Sequence, residues 1–163
     1  MRRSTTRGFT TLEMLTVVVV FGILAAIAGP KFYASYAATT THTAADRLAR
    51  AGELARASAV RFGRDAQLRV NTSTKQFWVQ VDTTVSLTGV MDTIGPVQSF
   101  SESRVGLSLA LDGLAASSAV LCFDTGGLRS TRSPCDSGAA AIAFELASHV
   151  DTVQFTSLGK VLR

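Results

Sequence analysis

The chain has 163 residues, 47% of them hydrophobic and 17% charged, with sixteen basic and twelve acidic side chains. That length allows one globular domain plus a helix or tail, and a mean hydropathy of +0.27 means that apolar residues are concentrated somewhere. Arg2, Arg3 and Arg7 stand ahead of a long apolar run, so beyond residue 8 thirteen basic residues face twelve acidic ones. Such a balance excludes a global basic footprint for nucleic acid and leaves only local patches.

The chain opens MRRSTTRGFTTLEMLTVVVVFGILAAIAGP. Phe9 to Ala28 is twenty residues, enough at about 1.5 Å per residue to cross the core of a bilayer. Basic residues crowd ahead of this run, with Lys31 alone close behind it, which predicts a leader left in the cytoplasm and a C-terminal part exported. A secretory signal peptide carries its cleavage residues after the apolar region. Here the polar-to-apolar junction at Gly8–Phe9 reads as the cut site, and the apolar segment stays on the mature chain. Glu13 interrupts that segment. A carboxylate in hydrocarbon is costly and marks either a function with a partner or a side chain that snorkels to the interface. After a cut at Gly8 it is the fifth residue, one helical turn from the new amine at Phe9, and the amine of a neighbouring subunit could neutralise it.

The residues Arg7-Gly8-Phe9-Thr10-Thr11-Leu12-Glu13 resemble the prepilin signal shared by type IV pilins and type II secretion pseudopilins. The resemblance implies cleavage between Gly8 and Phe9 by a membrane prepilin peptidase, N-methylation of Phe9, and a role for Glu13 in subunit assembly. Pro30 falls where pilins often carry a helix-distorting proline. Physically it removes one helix hydrogen bond, and either kinks or melts the helix around Gly29 or stops it at the membrane surface.

Beyond Pro30 the pattern becomes amphipathic. Ala44, Leu48, Ala51, Ala55, Ser58 and Phe62 recur at helical spacing and predict one buried face, with Asp46–Arg50 and Glu53–Arg56 at ion-pair spacing elsewhere. Gly63 is the expected C-cap. From Gln67 the period switches to two. Gln67–Val70, the turn 71–74 and Lys75–Asp82 read as a hairpin, with Phe77, Val79 and Val81 facing the core and Trp78 and Gln80 opposite. Further strands are expected at 97–100, 105–111, 119–123, around 142–146 and around 153–155, with turns at Asp124–Gly127 and Ser157–Lys160. The stretch from Val85 to Pro96 is rich in threonine and glycine and carries no clear period.

The expected class is α+β: a long N-terminal helix, transmembrane in its first half, packed on a C-terminal antiparallel β-sheet domain, as in pilins. The segments are a cleaved leader 1–8, a transmembrane half 9–30, an amphipathic half 31–63 and an exported β-rich domain 64–163. Leu121-Cys122-Phe123-Asp124-Thr125-Gly126-Gly127 and the closing Gly159-Lys160-Val161 resemble GspH/FimT-type minor pseudopilins, which carry a Phe-x-x-Gly turn and a Gly-Arg/Lys-Val ending. Lys160 stands where arginine is commoner, and the Cys122, Cys135 pair is not a fixed feature of that group. An even cysteine count in an exported domain favours a disulfide; the alternative is a buried Cys122 and an unrelated thiol at Cys135.

No catalytic signature is present. His42 and His149 lack metal-ligand spacing, and no nucleophile elbow, P-loop or dinucleotide fingerprint occurs, so no enzyme, metal or cofactor is expected. The reading is a minor pilin or pseudopilin of a type II secretion pseudopilus or type IV pilus. Its expected partners are other pilin subunits, the prepilin peptidase and the inner membrane, with the C-terminal domain outside the cytoplasm. Two alternatives stand beside it. One is a DNA-binding minor pilin for DNA uptake, using Arg129, Arg132, Lys160 and Arg163. The other is a single-pass anchor without a filament, in which Glu13 would lack its partner.

Overall fold

The computed structural model describes residues 9–83, 90–100, 104–132 and 134–163. The leader, with Gly8, and the start of the threonine- and glycine-rich stretch at Val85 lie outside them. Helix α1 (Thr11–Phe62) is 52 residues long and contains Pro30. The helix neither melts at Gly29 nor stops at Pro30, contrary to two of the expectations for that residue. A proline costs the helix its own missing N–H, and the turns on either side here are regular enough to carry on past the gap.

Compactness divides the chain after Tyr36. Up to that point the helix is exposed on all sides, including Leu12, Val18, Phe21, Ile27 and Phe32. It is long and apolar enough to cross a membrane. Thr10 caps its start: the Glu13 backbone N–H donates to Thr10 Oγ1 at 3.2 Å.

From Ala37 onward α1 buries Ala37, Thr41, Ala44, Ala45, Leu48, Gly52, Ala55, Ser58 and Ala59. The stripe is made of small residues, so the helix axis lies close to its neighbours. Phe62 was expected on this face, but it is 41% exposed because Ala59 is the last apolar side chain to reach the core. Gly63 ends the helix with positive φ, and the Arg64 N–H reaches back to Ala59 O at 3.1 Å, the six-to-one bond of a Schellman cap.

Among the described residues ten strands follow, in two five-stranded sheets. The first runs β3 (Asp92–Ser99), β2 (Gln76–Val81), β1 (Ala66–Asn71), β6 (Ser118–Phe123), β7 (Arg129–Ser130). The second runs β10 (Val161–Leu162), β9 (His149–Phe155), β8 (Ala140–Leu146), β4 (Gly106–Leu111), β5 (Leu114–Ala116). All pairings are antiparallel. Along β2 burial alternates, with Phe77, Val79 and Val81 inside as the period-two reading predicts. Strand β3 begins at Asp92, five residues before the expected Val97, because ladder pairing to β2 overrides a local sequence containing Gly95 and Pro96. Phe77 stacks on Phe100 at 4.9 Å between ring centroids, and Phe100 meets Phe144 edge-on at 5.0 Å, which joins the two sheets.

Gly52 sits where α1 crosses β9 and β10. A Cβ there would lie 2.4 Å from Phe155 Cε1 and 3.3 Å from Val161 Cγ2. Alanine would recover about 1 kcal/mol of helix propensity, but the displacement of a fully buried ring costs about 1–3 kcal/mol. Gly52→Ala should therefore lower the unfolding midpoint of the β-sheet domain, measured by thermal circular dichroism. A raised midpoint would mean that the helix does not seat this closely.

Candidate functional site

In the apolar surface of the N-terminal unit two charged side chains stand among the described residues, Glu13 and Lys31. Glu13 is the acidic residue of the first helical turn and is exposed. It stands three residues after the cap Thr10, where a negative charge is favoured by the unpaired N–H groups of the helix start. The spacing Thr10-x-x-Glu13 is that of a capping box, a further signal in the sequence beside the assembly and snorkelling readings of Glu13. Helix start and candidate docking charge therefore share four residues.

In the domain from Ala37 onward, the two short C-terminal motifs meet. Asp124 Oδ1 accepts from the N–H groups of Gly126 and Leu128, both at 2.9 Å, which closes the turn after β6. Thr156 and Lys160 close the second turn through reciprocal bonds of 3.0–3.1 Å. Gly159, at φ +79°, lies against the first turn: a Cβ on it would stand 2.9 Å from Gly127 O and 3.2 Å from Arg129 N. A side chain at residue 159 would be strained by its backbone and also pushed into that neighbouring turn.

Of the four basic residues considered for DNA, two are engaged within the domain. Arg129 is buried at 9% exposure, and its Nη2 donates to the carbonyls of Asp136 at 2.9 Å and Gly138 at 3.0 Å. Burial pushes its pKa down, opposed by Asp136 and Asp112, as expected of an internal structural cation. Arg163 is occupied as well: it pairs with Asp46 and, at 2.8 Å, with Asp151. Lys160 and Arg132 are exposed. Two of the four cations are thus held by the domain itself, and the DNA-binding alternative loses half of its patch.

The Arg163 cluster also corrects the helix ion pairs. Asp46 goes to the C-terminal arginine rather than to Arg50, while His42 Nδ1 lies 3.2 Å from Asp151 Oδ2. No sequence signal points to this cluster, since its members are brought together only by α1 packing on β9. Near the other end of the domain Cys122 and Cys135 are joined by a disulfide with Cα atoms 5.6 Å apart. Among the described residues no group of three or more His, Cys, Asp and Glu side chains is placed to hold a metal ion.

A long N-terminal helix packed on antiparallel sheets matches known structures. The fold is that of a minor pilin. The type II secretion minor pseudopilin EpsH of Vibrio cholerae aligns at a TM-score of 0.56 with 9% identity, covering 77% of this chain and 95% of that one. The type IV minor pilin FimU of Pseudomonas aeruginosa aligns at 0.52 with 14% identity, covering 75% and 86%. No protein-family model and no curated protein sequence matches the chain. At these identities the minor-pilin likeness is one of architecture and not of shared side chains.

Proposed function

We propose that the protein is a minor pilin or pseudopilin, a structural subunit of a type IV pilus or a type II secretion pseudopilus. The observation that carries this reading is a fully exposed apolar helix with one carboxylate in its first turn, on a minor-pilin fold. Such a helix has two places to go: a bilayer before assembly, and the company of other apolar helices after it. The precursor is cut between Gly8 and Phe9 by a prepilin peptidase and Phe9 is N-methylated. Residues 9–30 anchor the subunit in the inner membrane with residues 64–163 outside the cytoplasm. On assembly Glu13 meets the amine of a neighbouring subunit. In this reading the work of the subunit is positioning.

Intact-mass measurement of the protein extracted from membranes tests the processing. The expected species lacks residues 1–8 and carries one added methyl group. A mature terminus beyond residue 28 would mean an ordinary secretory signal and would overturn the reading. Deletion of the gene, scored for surface pili and for exoprotein secretion, separates the two machines.

A further inference from the structure

Between α1 and the β2–β3 hairpin lies a groove of about 310 Å³. Its floor includes Val79, Ile94 and Pro96, and Leu54 of the helix forms part of its wall. Arg47 and Arg50, both exposed, stand over it from α1. The groove exists because the sheet ends here. Strand β3 is an edge strand, its register with β2 shifts between Phe77 and Val79, and Gly95 takes φ +77°, so the strand cannot follow the helix closely.

The charge at this groove is uncompensated. Arg50 has Asp46 at ion-pair spacing, but Asp46 is taken by Arg163, and neither Arg47 nor Arg50 has an ion-pair partner among the described residues. Two guanidinium groups three residues apart therefore share one side of the helix, beside apolar surface that water covers poorly. We propose that this groove receives a short acidic and apolar segment of a partner protein, with aliphatic side chains against Leu54, Val79 and Ile94 and carboxylates on Arg47 and Arg50.

Three features select that occupant. Carboxylates suit the planar fork of arginine and form charge-assisted bonds with it. Pro96 has no N–H to offer, so a long added strand along β3 is interrupted and a short segment is favoured. Trp78, partly exposed, also lines the groove and adds aromatic surface for the apolar side chains of that segment; a nucleic acid stacked on it is the competing occupant, which the oligothymidylate arm below separates. The inference stands apart from the filament reading, because it concerns the β-sheet domain and not the apolar helix.

The test uses the full chain in nanodiscs of zwitterionic lipid, with fluorescein-labelled peptides followed by anisotropy. A peptide alternating aspartate and leucine should bind saturably. Lysine–leucine and aspartate–serine counterparts should bind at least about tenfold more weakly, the first for charge and the second for lost apolar contact. Arg47→Glu combined with Arg50→Glu should lower affinity for the aspartate–leucine peptide at least about tenfold, while Arg61→Glu, away from the groove, should not. Both arginines are exposed, so circular dichroism should report an unchanged fold. Equal binding of the lysine–leucine peptide, undiminished binding by the double variant, preferential binding of labelled oligothymidylate, or no saturable binding of the aspartate–leucine peptide would each overturn the proposal.

Discussion

Glu13→Ala should enter the membrane at least as well as the native chain and yet be incorporated into filaments at least about tenfold less. Removing a carboxylate from an apolar helix removes its desolvation cost, so insertion is not at risk. The helix start survives too, because Thr10 Oγ1 accepts from the backbone N–H of residue 13 and not from its side chain. What is lost is the one charge in the first turn able to meet a neighbour's amine, which would then be left unpaired in a low-dielectric setting. Cysteine crosslinking of assembled filaments, set beside membrane fractionation of the monomer, reads the two effects separately. Glu13→Gln is the sharper variant, since it keeps the shape and removes only the charge. Normal assembly of either variant would end the docking role of Glu13.

Removing both Cys122 and Cys135 as alanines should cost the β-sheet domain about 3 kcal/mol, as expected for a closed loop of this size on the chain-entropy model. The residues are 13 apart in sequence, and the bridge ties buried Cys122 of β6 to the loop before Asp136. That loop has other anchors. The Val120 N–H donates to Asp136 Oδ2 at 2.6 Å, and Arg129 holds the carbonyls of Asp136 and Gly138. The double variant should therefore fold, with a lower denaturation midpoint and a somewhat steeper slope, because the denatured chain without its crosslink exposes more surface. In the native protein, thiol labelling under denaturing, non-reducing conditions should find neither cysteine free. Two labelled thiols would refute the bridge.

Much of the fold was legible because its signals are local. The apolar run after Arg7, the switch to amphipathic spacing after Pro30 and the change to period two at Gln67 are each read within a few residues. Phe77, Val79 and Val81 face the core as their alternation requires, and Gly63 ends the helix as an L-residue could not do without strain. Strands β5 and β7, of three and two residues, were missed because they exist only through their partners β4 and β6. A ladder that short leaves no period to read. Strand β3 starts at Asp92 and not at Val97 because its pairing with β2 carries it through Gly95 and Pro96, which hide any period.

The candidate site divides along the same line. Composition and order alone determine a basic N-terminal stretch, an apolar segment of membrane length, Glu13 beside its start and a β-rich remainder, because each depends on neighbours along the chain. Only the tertiary structure decides what the scattered charges do. Arg129 carries the same charge as Arg132, yet one is sealed among backbone carbonyls and the other is exposed. Asp46 has Arg50 one turn away and pairs with Arg163, which is 117 residues distant. An ion pair is chosen by which side chains packing brings within a few ångströms, and sequence distance has no bearing on that choice once α1 lies on β9.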